Sequence, residues 1–134
     1  MAYVFVDKVL ECEPGRRVVA VKALAFNEEF FRDHFPGMPV LPGAMVLEGC
    51  VQAVRHCLAA SPDGHADWVL HAVKQMRFNR FATPGEVVRL EAELEGEEEG
   101  ALWFKGRAQV GDEGVCRLRF AVRRAAPDAG GAGN

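Results

Sequence analysis

Apolar and polar residues alternate at a spacing of two along much of the chain, as they do on half-buried strands. The clearest case is Val87 to Leu94. Val88, Leu90, Ala92 and Leu94 lie on one face, with Val87, Arg89, Glu91 and Glu93 on the other. Val4 to Leu10 and Arg17 to Phe26 are rich in Val, Leu and Phe, and Pro14-Gly15 marks a turn between them. Trp68 to Phe78, Leu102 to Val110 and Val115 to Val122 bring the expected strands to six, with a turn at Gly111 to Gly114 before the last. The acidic run Gly96 to Gly100 reads as a solvated hairpin tip.

One segment breaks this rhythm. Gly43 to Ala60 holds no proline and one internal glycine, which predicts a helix about 27 Å long. Pro42 stands just before it, where proline is tolerated, and Ser61-Pro62-Asp63-Gly64 stops it. Met45, Val46, Leu47, Cys50, Val54 and Leu58 make it apolar nearly all round, so other structure must wrap it. One buried helix among six strands predicts an α+β fold, a curved antiparallel sheet around a central helix. Residues 1–124 read as one domain. The small, Gly-rich residues 125–134 read as a flexible tail.

Composition narrows the function classes. The 134 residues carry a formal net charge of −3, which argues against nucleic-acid binding through bulk charge. No uncharged apolar run is long enough to span a membrane, and no basic-then-apolar leader opens the chain. Cys12, Cys50, Cys57 and Cys116 form no C-x-x-C pair, and no histidine stands at zinc-finger spacing. The expectation is reduced thiols in a cytoplasmic protein, with no metal and no cofactor.

The helix has one polar stripe. Glu48 and Gln52 are four apart and share a face, and Arg55 returns to nearly the same angle. A carboxylic acid in an apolar surround favours its neutral form unless paired, and then serves as a general acid. The structural alternative is a pair in which Gln52 or Arg55 holds Glu48. Ahead of the helix, Pro36, Pro39 and Pro42 stiffen the loop that His34 opens beside Phe30, Phe31 and Phe35. Gly43 starts the helix, where backbone N–H groups lack partners and the helix dipole is positive. That is a candidate oxyanion site, which glycine lets a carbonyl approach. Base, acid and carbonyl polariser are the parts needed to remove a proton beside a carbonyl and expel a β-hydroxyl. His56 reads as a surface or interface helix residue, His65 and His71 as ordinary residues, and Trp68 and Trp103 as packing.

Asn27 to Gln52 runs N-E-E-F-F-R-D-H-F-P-G-M-P-V-L-P-G-A-M-V-L-E-G-C-V-Q. It resembles the 3-hydroxyacyl-acyl-carrier-protein dehydratases of the FabZ type, with the pattern N-x-x-F-F-x-x-H-F-P-G-x-P-x-x-P-G-x-x-x-x-E-x-x-x-Q. The likeness also covers Val6 to Val9, Pro14-Gly15, Met76 to Arg80, Pro84 to Glu86 and Trp103 to Gly106, all in one order. It implies a hot-dog fold and dehydration of 3-hydroxyacyl thioesters to trans-2-enoyl thioesters. It puts the catalytic base on His34, the catalytic acid on Glu48 and the carbonyl-binding amide on Gly43. Phe35 and Gln52 join Gly43 as candidate substrate-binding residues. It further implies a homodimer whose sites each draw His and Glu from different subunits, and often a trimer of dimers. The acyl group would arrive on the phosphopantetheine arm of an acyl carrier protein. Lys74, Arg77 and Arg80 are the candidate docking cations.

The chain departs from the family at several points. The usual lead with a Pro-His-Arg-like motif is absent before Tyr3, which suggests a specialised polyketide or pigment pathway. Gly49 stands where Ala is common and should loosen the helix. Asn79 replaces a second basic residue, and Val69-Leu70-His71 lacks the aromatic expected of a tunnel gate. The related FabA group has Asp at the position of Glu48, so double-bond isomerisation is not expected here. The rival readings are a hot-dog thioesterase and a non-catalytic partner of a heterodimer. His34 in its Pro-rich loop speaks against the first, and retention of both His34 and Glu48 against the second.

Overall fold

The computed structural model describes residues 5–28, 39–62 and 67–125. Its elements in chain order are β1 (Lys8–Glu13), β2 (Arg17–Ala23), α1 (Gly43–Ala59), β3 (Trp68–Phe78), β4 (Val87–Glu98), β5 (Ala101–Val110) and β6 (Glu113–Arg124). The strands form one antiparallel sheet in the order β1-β2-β4-β5-β6-β3, so β1 and β3 are its edges. α1 packs on one face, chiefly against β2 and β4. Val18 and Ala20 of β2, Leu90 of β4, Phe104 of β5 and Phe120 of β6 meet Val46, Cys50 and Val54 of the helix in one buried core. This is the helix-in-sheet arrangement implied by the hot-dog resemblance. Among the described residues no helix is long and apolar enough to cross a membrane.

The alternation in β4 is realised as read, with Val88, Leu90 and Ala92 buried. The helix starts at Gly43 as expected and ends one residue early. Its C-terminal carbonyls are taken up locally. Ser61 N–H and Oγ–H both donate to Leu58 O (3.2 and 2.9 Å), and Gly15 N–H in the β1–β2 turn donates to Cys57 O (3.0 Å). Gly15 has φ +76°, a left-handed conformation suited to glycine.

Among the expected boundaries that move, three do so because backbone groups find other partners. β1 begins at Lys8 instead of Val4, because Phe5 and Val6 donate their N–H groups to the Gln52 side chain, not to a strand. β2 stops at Ala23 instead of Phe26, because Leu24 exchanges hydrogen bonds with Gly85 and Glu86 in the turn before β4. The acidic tip is narrower than Gly96 to Gly100. Glu97 and Glu98 pair with Leu102 and Ala101, leaving Glu99 and Gly100 as a two-residue turn with φ of 52° and 83°.

All four cysteines are unpaired. Burial pushes the Cys50 thiol up to about 12 and the Cys116 thiol up to about 11, so neither is poised as a nucleophile. Of the expected tail, 126–134 lie outside the described residues, while Ala125 N–H donates to Asp67 O (2.7 Å).

Candidate active site

The N-terminus of α1 is uncapped among the described residues. Pro42 occupies the cap position in an extended conformation (φ −65°, ψ 146°), no side chain among the described residues caps the helix, and its first turn carries no acid. Met45 and Val46 N–H turn back to Pro42 O (3.0 and 3.3 Å), while the N–H groups of Gly43 and Ala44 have no partner among the described residues. Leu41, fully buried, anchors the approach by donating its N–H to Ala82 O (2.8 Å). At Gly43 a Cβ would lie 3.2 Å from the Phe78 ring and 3.6 Å from Met76 Cε. The helix start is therefore walled by β3, and glycine keeps it clear. Uncapped N–H groups at the positive end of a helix dipole can polarise a thioester carbonyl.

Glu48, one turn further along, is partly buried. Its Oε2 accepts a hydrogen bond from Gln52 Nε2 (3.0 Å). Gln52 is itself pinned: its Oε1 accepts from Phe5 N–H (2.8 Å) and Val6 N–H (3.1 Å). Because the carbonyl end of the amide is occupied by two backbone donors, its NH₂ end must face Glu48. The lead segment 5–7 thus fixes the rotamer of Gln52, and Gln52 fixes the carboxyl. Arg55, the other partner considered from spacing, donates Nε–H to Trp68 O instead (2.8 Å). Glu48 makes no ion pair with any described residue. The amide hydrogen bond fixes where the Glu48 carboxyl points.

The anchoring of the lead segment was not visible in the motif. Phe5 is fully buried, Asp7 N–H donates to Val21 O (3.0 Å), and Asp7 Oδ2 accepts from Ala23 N–H (2.7 Å). Lys22, buried on β2, bridges Asp7 (3.4 Å) and Glu28 (2.9 Å) and lies 5.4 Å from the Phe5 ring centroid. A signal for this existed in Val18-Ala20-Lys22, where a lysine takes the third inward position of an otherwise apolar face. His34 and Phe35 lie outside the described residues.

Of the three basic residues read as carrier contacts, Arg80 is engaged within the fold. Its guanidinium donates to both Glu86 carboxylate oxygens (3.0 and 2.8 Å) and to Phe81 O (3.1 Å). Glu86 also accepts from Thr83 N–H (2.9 Å). The Arg80 hydrogen bonds, aided by Thr83, hold the Glu86 carboxyl down at about 2. The native state therefore keeps Glu86 ionised below the usual 4.5, and the stability this gives is complete above the unfolded value and lost as pH falls toward 2. In urea unfolding, Glu86→Gln should be less stable than the parent at pH 6, with the difference closing between pH 4.5 and 2. A gap that stays constant across that range would overturn the assignment. Lys74 instead reaches over the Trp103 ring (4.7 Å), and Arg77 is exposed on the same side of the sheet.

Among the described residues, no cluster of three His, Cys, Asp or Glu side chains could hold a metal ion. A family model described as the FabA-like domain matches residues 2–119. The chain is 41% identical over 128 residues to a 3-hydroxyacyl-[acyl-carrier-protein] dehydratase FabZ of Variovorax paradoxus, covering 91% of this chain and 85% of that protein. It is 41% identical over 127 residues to the protein of the same name from Symbiobacterium thermophilum, with 92% and 89% covered. Among solved structures the fold is similar to the dehydratase heterocomplex ApeI:P of Xenorhabdus doucetiae (TM-score 0.72, 16% identity, 91% of this chain and 83% of that one). It is also similar to the uncharacterized protein PH1136 of Pyrococcus horikoshii (TM-score 0.73, 12% identity, 94% and 88%). At these identities the structural likenesses establish the fold alone.

Proposed function

The chain belongs to the FabA-like family, and we propose from that membership and the geometry at α1 that it dehydrates 3-hydroxyacyl groups carried by an acyl carrier protein. The product is the trans-2-enoyl thioester, in fatty acid biosynthesis or a related polyketide-type pathway in the cytoplasm. The thioester carbonyl sits at the uncapped helix start and is polarised by Gly43 N–H, which acidifies the protons on C2. His34 takes one of those protons as the C2–C3 double bond forms. Glu48 gives its proton to the C3 hydroxyl, which leaves as water. Phe35 and Gln52 are the further substrate-binding residues, and Gln52 also orients the acid.

The observation that carries this reading is the pinned carboxyl, Glu48 held by an amide whose other end is fixed by Phe5 and Val6. The working unit is a homodimer with His34 and Glu48 of one site from different subunits, and dimers associate in threes. Supporting the dimer, β3 is a sheet edge with Leu70 and Val73 exposed, and an unpaired apolar edge favours continuation by a second copy.

The direct test offers 3-hydroxyacyl groups of several chain lengths on carrier protein to the purified chain. Conversion to the enoyl thioester, with loss of one water and no free thiol, is the expected result. Release of thiol with the hydroxyl retained would replace the reading with thioester hydrolysis, and no product at any length would overturn it.

A further inference from the structure

The face of the sheet turned away from α1 carries a grid of cations on three neighbouring strands. Arg107 of β5 pairs with Arg117 of β6, which pairs with Arg77 of β3. In the next row Lys105 pairs with Arg119, which pairs with Lys74. A bulge in β3 makes this possible. Lys74 and Arg77 are three apart and would face opposite sides of a regular strand. Here Gln75 and Met76 together oppose the single Leu118, and Gln75 takes φ 55°. The extra residue returns Arg77 to the face of Lys74.

An open cleft of about 610 Å³ lies over this grid, lined by five cations (Arg77, Lys105, Arg107, Arg117 and Arg119) against two carboxylates, Glu91 and Glu93. Some of that charge is compensated: Arg107 pairs with Glu91 (2.6 Å), and Arg119 with Glu95 (2.9 Å). Arg77, Arg117 and Lys105 make no ion pair among the described residues. Like charges directly opposite across strands are unfavourable, so the free surface holds an electrostatic strain that an anionic partner would relieve. The concentration of positive charge is local, on a chain whose net charge is −3.

We infer that this cleft is a docking surface for an acidic protein partner, the acyl carrier of the reading above, on which the assignment rests. Carboxylates three or four apart on a helix stand about 5–6 Å from one another, close to the roughly 4.8 Å between strands. An acidic helix laid across the strands therefore sets successive carboxylates against Arg107, Arg117 and Arg77. The place also suits delivery. Arg77 lies between Met76 and Phe78, whose side chains wall Gly43 on the opposite face of the sheet. β3 ends at Phe78, so a long arm from a partner in the cleft rounds the end of that strand to reach the helix start. The surface keeps Lys74 and Arg77 of the expected contacts, leaves out Arg80, and adds Lys105 and Arg117.

The test compares a carrier-bound 3-hydroxyacyl substrate with the same acyl group on pantetheine. In Lys105→Glu/Arg117→Glu, the new carboxylate at 117 stands between Arg107 and Arg77, and the one at 105 gains Arg119 while losing Glu93, so folding should be retained, and thermal melting checks it. KM for the carrier-bound substrate should rise about tenfold or more and lose its salt dependence. KM and kcat for the pantetheine thioester should stay within about twofold. If the double variant is poorly folded, Arg117→Gln and the salt dependence of the parent protein serve instead: KM should rise with salt for the carrier substrate only. Equal effects on both substrates, or none on the carrier substrate, would overturn the docking surface. Absence of enoyl product from either substrate with the parent protein would instead defeat the dehydratase reading.

Discussion

Glu48→Gln is expected to lower turnover of 3-hydroxyacyl thioesters by about 10²-fold or more, with the fold unchanged. Glutamine has the same shape, and its side-chain oxygen can still accept the hydrogen bond that Gln52 Nε2 now gives to Glu48 Oε2. The chain Phe5–Gln52–residue 48 therefore survives, and only the proton donor is lost. His34→Ala should cause a loss of similar size through the base. Because the proposed site draws the two residues from different subunits, mixing the two inactive chains should restore activity, as some mixed dimers hold one intact site. Steady-state rates before and after subunit exchange decide the matter. Near-parental rates in either folded single variant would remove that residue from the mechanism. Failure to recover after confirmed exchange would show that the site is not shared.

Gly49→Val should destabilise the protein by about 2 kcal/mol or more, within the range for overpacking a core. On helix propensity alone the change is favourable, since glycine is the poorer helix former. Packing opposes it. A Cβ at position 49 would lie 2.6 Å from Leu90 Cδ1 and 2.8 Å from Phe5 Cδ2, both in the buried core. The glycine that was expected to loosen the helix is what lets β4 and the lead segment close against it. The same contact brings Phe5 N–H within reach of Gln52, so the variant should also lose activity at temperatures where it remains folded. Chemical denaturation and activity below the melting transition measure the two effects. A variant as stable as the parent would mean that Phe5 and Leu90 repack freely.

Local pattern carried a large part of this protein. Period-two alternation marks β4, and a proline-free, largely apolar segment between Pro42 and Ser61 marks α1, because both signals depend on which face of one element is buried. The candidate chemistry was legible for a related reason. Gly43, Glu48 and Gln52 lie on a single helix, where spacing sets relative position, and the motif that joins them to His34 is continuous in the chain. His34 and Phe35 were read from that motif and lie outside the described residues.

What tertiary structure decided involves partners distant in the chain or groups that have no letter. The choice of Gln52 over Arg55 as the partner of Glu48 turned on two backbone N–H groups 47 and 46 residues away. β1 began four residues late for the same reason. Arg80 looked like any basic residue near a strand end until Glu86, across the turn, accepted hydrogen bonds from both of its terminal guanidinium nitrogens. The cation grid could not be read from β3 at all. Strict alternation separates Lys74 from Arg77, and only the bulge against Leu118 returns them to one face. Sequence by itself determined the elements, the buried helix and the acid upon it. The three-dimensional fold determined which polar groups hold that acid and which remain free to meet a partner, because hydrogen-bond competition is settled by distance in space.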